Sequence, residues 1–450
     1  MPTKMPIKAP PPVGYAWDGF YAGGYVGSVL GQNTGETPAP GNPAGTRTGG
    51  MHFNDYNFAG GVTAGYNWRV APNWLVGLEG DIGYFALSQN FKEYNDVLTA
   101  GTKSDWNGTV RVRAGYLTGP SLLYVTGGVA FVHMTDTFGG LIGSGGVASI
   151  DPVDASTTRV GWTAGAGIET KLSSHWSSKS EYLYIDAGDH SFGSNPFGVG
   201  TTAGTGGLVP TNFNHHQYHV IKTGLNYNFG GGPDEGLPFF TGKLLPSNHN
   251  WNGLYAGLNV GIGASNTHVH DPGLTGPSRG DADVNGAGFA GGAQIGYNYM
   301  ITPRYLVGVE GDIGYLGMRS NFNDWFDLTA LFEQNTNWYA TARARAGISN
   351  GPALFYFTGG AAWVNMEDGF GKGSVISTGD LAWHTRSGWT FGGGTEVALN
   401  ERWSAKMESL FINTGTHFHT NTPPPLVGFN ADFKERFVVV RAGLNYKFTD

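Results

Sequence analysis

An internal duplication constrains this chain more than any other feature. Trp17-Asp-Gly-Phe-Tyr-Ala-Gly returns as Trp251-Asn-Gly-Leu-Tyr-Ala-Gly. Residues 58–91 align without gaps on 289–322, and 19 of the 34 positions are identical, including the run Glu-Gly-Asp-Ile-Gly-Tyr. Further on, Arg111-Val-Arg-Ala-Gly matches Arg343-Ala-Arg-Ala-Gly, and Gly224-Leu-Asn-Tyr-Asn-Phe matches Gly443-Leu-Asn-Tyr-Lys-Phe. The repeating unit is roughly 210 residues, far longer than a solenoid repeat, so it is a duplicated domain. The expected division is a Pro-rich N-terminal segment over 1–16, one domain over 17–229, a Gly- and Pro-rich linker over 230–250, and a second domain over 251–450.

Within each copy the period is two. Trp74, Val76, Leu78, Ile82 and Tyr84 fall on one face of a segment whose other face carries Gly77, Glu79, Asp81 and Gly83. Val110, Val112, Ala114 and Tyr116 likewise oppose Asn107, Thr109, Arg111 and Arg113. Such alternation predicts strands with one apolar face and one small or charged face. Eight segments of this kind fit the first copy, near 17–30, 58–69, 74–87, 106–117, 122–134, 157–171, 176–188 and 217–229. The connections between them alternate long and short. The short ones contain Ala-Pro-Asn, Gly-Pro-Ser and Ser-Ser-His, and the long ones are rich in Gly, Asn, Thr and Asp.

Composition narrows the solvent. The 450 residues include 75 glycines and no cysteine, with 14% aromatic and 13% charged side chains, against about 7% Gly and about 25% charged in an ordinary soluble domain. Net charge is −8 and there is no basic stripe, so nucleic acid is a poor partner. No run approaches the roughly 18 apolar residues of a membrane helix. Residues 1–16 lack an apolar core of the kind a signal peptide carries, so an export signal is expected to have been removed. An up-and-down meander with its long loops at one end is the pattern of a bacterial outer-membrane β-barrel. The expected fold class is therefore all-β: two tandem eight-stranded transmembrane barrels, preferred over one 16-stranded barrel because each copy has its own opening and closing segment. Aromatics at the segment ends, Trp17, Trp68, Trp74, Trp106, Trp176 and Tyr184, are expected to form interfacial girdles.

The polar face is then a lumen. Glu79 and Asp81 can oppose Arg111 and Arg113, with Glu310, Asp312, Arg343 and Arg345 repeating the set. Arg159, Glu169, Lys179 and Glu181 join them in copy one, and Arg386, Glu396, Lys406 and Glu408 in copy two. A buried ion must be paired, so the expected arrangement is a salt-bridge network filling a narrow interior. A selectivity ring around an open pore is the alternative. No nucleophile, His and acid set accompanies these carboxylates, so no enzyme is expected.

Each copy closes on one design, Lys222-x-Gly224-x-x-Tyr227-x-Phe229 and Arg441-x-Gly443-x-x-Tyr446-x-Phe448. This resembles the C-terminal assembly signal of outer-membrane barrels. Together with Trp-x-Gly-Phe-Tyr-x-Gly, Glu-Gly-Asp, Arg-x-Arg-x-Gly and Glu181-Tyr-Leu-Tyr, it resembles the opacity-type, OmpA-like porin family of small eight-stranded outer-membrane proteins, here in tandem. The resemblance implies a cell outer-membrane location, contact with membrane lipid and with the barrel-assembly machinery, and no obligatory cofactor. Oligomeric state is left open. His215, His216 and His219 cluster at the start of the last strand of copy one, and His268-x-His270 and His417-x-His419 lie in long connections. His-x-His on an extended segment puts both rings on one side, which permits a metal or haem contact. Some members of the resembled family are described as haemin binders. The expected function is a non-enzymatic structural and surface role, with a porin-type channel or haem uptake as alternatives.

Overall fold

The computed structural model describes residues 16–36, 50–92, 98–142, 148–191, 212–230, 249–270, 281–323, 331–372, 375–376, 383–421 and 429–448. Alternation becomes strand throughout. The first copy contains β1 (Gly19–Glu36), β2 (Gly50–Ala71), β3 (Trp74–Lys92), β4 (Leu98–Thr118), β5 (Ser121–Ile142), β6 (Ala148–Lys171), β7 (Trp176–Asp186), the two-residue β8 (His190–Ser191) and β9 (Asn212–Asn228). The second contains β10 (Gly253–His270), β11 (Asp281–Met300), β12 (Tyr305–Asn323), β13 (Leu331–Asn350), β14 (Ala353–Lys372), the two-residue β15 (Val375–Ile376), β16 (His384–Ala398), β17 (Trp403–Asn421) and β18 (Phe429–Lys447). Every pairing is antiparallel, and β1 closes on β9 as β10 closes on β18. The result is two closed barrels of eight long strands, each with a short stub strand at one edge, and not one 16-stranded barrel.

The strands run well past the alternating segments. β2 begins at Gly50 rather than near 58, and β4 at Leu98 rather than near 106. Ladder pairing continues to Glu36↔Gly50 and Lys92↔Thr99 although the sequence there is rich in Gly, Asn and Thr. Backbone hydrogen bonding persists there while the hydrophobic period of the sequence disappears. β1 to β6 are 18 to 24 residues long, where about 9–11 suffice to cross a bilayer, so the loop end of each barrel projects beyond it.

At the other end the turns are tight. Gly119 and Gly351 occupy equivalent hairpins with φ of +59° and +68°, values that L side chains rarely adopt, and Pro follows each of them.

The exterior carries the apolar side chains: Val26, Val62, Ile82, Val110, Val112 and Val125 are all exposed, as are Val260, Ile295 and Ile313 in the second barrel. Trp68 and Trp74 are exposed at strand ends, and Trp106 is exposed within β4. Trp17 is not in that girdle. It is 1% exposed, because the chain ahead of β1 crosses the turn end of the lumen, where Asn67 Nδ2 donates to the Trp17 carbonyl at 3.1 Å. Trp251 takes the same place and donates through Nε1 to the Gly351 carbonyl at 2.9 Å.

The lumen is stratified. Above the Trp17 floor, which packs with Leu75, Leu117, Leu122 and Tyr124, comes a charged layer. Above that lies an apolar layer that includes Val29, Phe85, Val132, Met134, Ile185 and Tyr218, matched in the second barrel by Leu316, Met318, Tyr339, Val364, Ile412 and Phe437. Bulges at Ser104/Asn107 and Thr336/Trp338 reset the inward parity, so Ser104 and Thr102, and Thr336 and Gln334, turn into the lumen near the mouth.

The barrels stand side by side with their turn ends together. Thr118 Oγ1 donates to the Leu399 carbonyl at 3.2 Å and Asn350 Nδ2 to the Leu172 carbonyl at 3.3 Å. On outward positions, Ser180 Oγ donates to Thr395 Oγ1 at 3.0 Å, and Ile168 packs with Val397, Ala405 and Met407. Toward the loop end Tyr56 meets Phe411 at 6.4 Å between ring centres.

This orientation is directly testable. Val112→Arg, outward at mid-strand, is expected to cost about 2–4 kcal/mol in urea unfolding from lipid vesicles. A cost near zero would mean that this face does not lie in hydrocarbon.

Candidate functional site in the barrel lumen

Cross-strand register builds the charged layer. Glu79 stands opposite Arg111 on β3 and β4, and Glu310 opposite Arg343 on β12 and β13. In the first barrel the Arg111 guanidinium donates to Glu79 and to Asp81 at 2.7 Å, and it forms an ion pair with Glu181 at 3.0 Å. Arg113 reaches Glu169 at 2.9 Å. Lys179 Nζ lies 2.5 Å from Glu79 and 3.3 Å from Glu181, and Lys222 Nζ lies 2.9 Å from Asp81 and 3.2 Å from Glu181. Neutral donors complete the shell. Tyr21 donates to Glu79 at 2.6 Å, Tyr124 to Glu181 at 2.7 Å, Thr109 to Asp81 at 2.8 Å and Ser177 to Glu169 at 2.6 Å.

The second barrel repeats the design with different atoms. Arg343 donates to Glu310, to Asp312 at 2.7 Å and to Glu408 at 3.0 Å, and Arg345 to Glu396 at 2.9 Å. Lys406 binds Glu310 at 3.0 Å, while Arg441 binds Asp312 at 3.0 Å and Glu408 at 2.6 Å. Tyr255 and Tyr356 serve Glu310 and Glu408 at 2.7 and 2.9 Å. Each layer is neutral: four carboxylates (Glu79, Asp81, Glu169, Glu181) face four cations (Arg111, Arg113, Lys179, Lys222), and Glu310, Asp312, Glu396 and Glu408 face Arg343, Arg345, Lys406 and Arg441. All sixteen are buried. In a medium where an unpaired ion costs several kcal/mol, this balance is what permits so many charges in so small a space.

Two expected members lie elsewhere. Arg159 is ten positions along β6 from Glu169 (169 − 159), above the apolar layer, where its guanidinium donates to the Asp189 carbonyl. Arg386 holds the equivalent height on β16. Strand parity put both on the inward side, but parity carries no information about height. Their places in the charge balance are taken by Lys222 and Arg441, which the sequence presented as the first residues of the closing motifs. Tyr21 and Tyr124 were also missed. Their signal is a glycine on the facing strand: a Cβ on Gly65 would stand 2.3 Å from Tyr21 Oη, and one on Gly167 2.4 Å from Tyr124 Oη. The other motif residues divide as the alternation implies, with Phe229 and Phe448 exposed and Tyr227 and Tyr446 half-buried on the outward face.

A cavity of about 10 Å³ beside Tyr25, Lys179 and Lys222 has room for roughly one water.

Near the loop end both barrels bury acids. Asp136 accepts from Thr102 at 2.7 Å, and desolvation pushes it up to about 6. Glu435 accepts from Thr414 at 2.8 Å and is pushed up to about 8, first by desolvation and then by the charge of Asp368. Its neighbours on β18, Lys434 and Arg436, point outward, which places it outside the hydrocarbon band. His417 stands 4.0 Å from Glu435 and bonds the Thr414 carbonyl, and His384 pairs with Asp368 at 3.2 Å. His216 is buried, His219 is half-buried against Tyr182, and His268 and His270 share the outer side of β10. The side chains of His215 and His419 lie outside the described residues. Among the described residues, no three His, Asp or Glu side chains stand close enough together to hold a metal ion.

Comparison with known proteins gives one family. The model of the outer membrane protein β-barrel domain matches twice, over residues 6–229 and 246–448. A 31 kDa outer-membrane immunogenic protein of Brucella melitensis is 32% identical over 212 residues, covering 44% of this chain and 84% of that protein. A 22 kDa outer membrane protein of Rhizobium leguminosarum is 33% identical, covering 44% and 76%. Among solved structures, the outer membrane protein OprG of Pseudomonas aeruginosa aligns at 14% identity over 45% of this chain and 100% of its own, with a TM-score of 0.31.

Glu79→Ala removes the acceptor shared by Arg111, Lys179 and Tyr21 and leaves the buried layer with one positive charge in excess. It is expected to destabilise the first barrel by about 3–5 kcal/mol in urea titration while the second unfolds as before, and equal loss in both barrels would contradict independent networks. A second expectation concerns pH. Folding raises Glu435 from its ordinary 4.5 to about 8, so the stability it contributes is complete below pH 4.5 and is lost as pH rises through 8. Intrinsic-rate-corrected hydrogen exchange at residues 433–437 should therefore accelerate between pH 5 and pH 9, and Glu435→Gln should remove that change.

Proposed function

The chain belongs to the outer membrane β-barrel domain family, as a tandem pair in the bacterial outer membrane, and from that premise we propose that it is a sealed, non-catalytic envelope protein. Its two plugged barrels anchor a projecting strand-and-loop surface outside the cell. One observation carries this reading: a charge-neutral, fully buried ionic layer lies under an apolar layer inside each barrel. Water crosses such a stack only by breaking both, and an eight-stranded interior is just wide enough for side chains to fill. The same carboxylates are held by Arg, Lys, Tyr and Thr on all sides, which leaves none free to act on a substrate.

The length of the strands supports the surface role. β2, β5 and β6 extend 22 to 24 residues, so paired backbone rather than loose loop is presented outside. Related Brucella proteins are named immunogenic, and a rigid projecting rim is a surface that antibodies can engage. The closing strands β9 and β18 present Tyr227, Phe229, Tyr446 and Phe448 outward, in the pattern that barrel-assembly machinery reads, so each copy carries its own insertion signal.

Planar-bilayer recording separates this reading from a porin. The intact chain is expected to give no steady single-channel steps. Large, stable steps from protein shown to be folded would overturn the sealed reading.

A further inference from the structure

The two barrels touch at their turn ends and again toward their loop ends, and between these contacts their outer walls part. The gap is a cleft of about 1350 Å³, open on one side, which exceeds the roughly 300–1,000 Å³ of small-molecule sites. Its walls are outward-facing residues of both copies, among them Val125 and Tyr116 from the first barrel and Leu258, Val260 and Leu444 from the second. Convex cylinders cannot close against each other along their length, and the outward contacts that do form near the turn end are those of Ser180 with Thr395 and of Ile168 with Val397, Ala405 and Met407. An apolar gap at this depth is filled by hydrocarbon, because neither water nor vacuum is tolerated there.

The turn end of the cleft has a different chemistry. Trp74, Tyr116, Trp403 and Tyr446 line it there, at the depth where amphipathic rings meet headgroups. Beside them Arg402, on the exposed turn before β17, donates to Tyr446 Oη at 3.0 Å. A guanidinium fork at headgroup depth matches a phosphate.

We propose that the cleft holds one phospholipid of the turn-side leaflet, with its acyl chains between the barrels and its phosphate against Arg402. The lipid completes a barrel-to-barrel interface that protein side chains leave half made. This occupant rests on both barrels sharing one bilayer in the same orientation, as the turn-end contacts between Thr118 and Leu399 and between Asn350 and Leu172 require. The site is asymmetric, since β3 to β7 of one copy face β10, β11, β17 and β18 of the other, so a single copy cannot build it.

Native mass spectrometry of the full chain, reconstituted from phosphatidylethanolamine and phosphatidylglycerol vesicles and released in mild detergent, tests this. One retained phospholipid per chain is expected. Ala166→Trp with Ala442→Trp fills the cleft from both walls and should abolish the adduct, whereas Val160→Trp, outward but away from the cleft, should keep it. Arg402→Gln should weaken retention on the order of tenfold, the loss of one charge-assisted contact. A lipid-free mass, a lipopolysaccharide adduct from native membranes, or an adduct indifferent to the paired tryptophans would each overturn the proposal. Heat-dependent gel mobility, read on the same samples, reports separately whether both barrels are folded, so a failed insertion is not mistaken for an empty cleft.

Discussion

Closure of the backbone ladder is the constraint on which everything else here depends. In a bilayer each N–H and C=O must find a partner within the protein, and the pairings of β1 with β9 and of β10 with β18 leave neither sheet with a free edge in the membrane band. Once each sheet is closed, outward positions belong to lipid and inward ones to a lumen of fixed width. The abundance of glycine follows from the same geometry. A narrow cylinder has room for Tyr21 and Tyr124 only where the opposing strand carries no side chain, at Gly65 and Gly167.

The filling of that lumen is less obvious than its closure. A wholly apolar plug would serve stability as well as an ionic one, since buried ion pairs gain little over well-packed hydrocarbon. What an ionic layer adds is register. The lipid face accepts almost any apolar residue at any outward position, so it discriminates weakly between pairings. A slip that moved Glu79 off Arg111, or Glu310 off Arg343, would strand a charge and turn the polar set toward lipid. On this view the charged layer specifies which strands pair and where, and the apolar layer above it excludes water.

Duplication has also let the copies diverge where they meet. Outward positions on β7 are Ser178 and Ser180, whereas their counterparts on β17 are Ala405 and Met407, and all four are buried in the contact between barrels. In the ionic layer the copies differ by an exchange that preserves charge, as Lys222 becomes Arg441. At the mouth they differ in kind: His216 of the first barrel corresponds to Glu435 of the second, so only the second carries that raised acid. Charge in the ionic layer is thus held constant while the contact face, the turn-end floor and the mouth vary.

Strand count, direction, closure in two units and the sorting of residues into inward and outward sets were legible from the sequence alone, because a period of two is a local property that any extended segment must express. The same logic identified Glu79, Asp81, Arg111, Arg113 and their second-copy equivalents as inward. Only the tertiary structure decided which inward charges share a layer, replacing Arg159 and Arg386 by Lys222 and Arg441, because height on a tilted strand depends on shear between strands and not on parity. It likewise moved Trp17 from the girdle to the floor, extended the ladders past the end of the hydrophobic period, and set the two barrels against each other through Ser180 with Thr395 and an apolar cluster of Ile168, Val397, Ala405 and Met407. Those outcomes arise from contacts between segments far apart in the chain, and no local pattern records them.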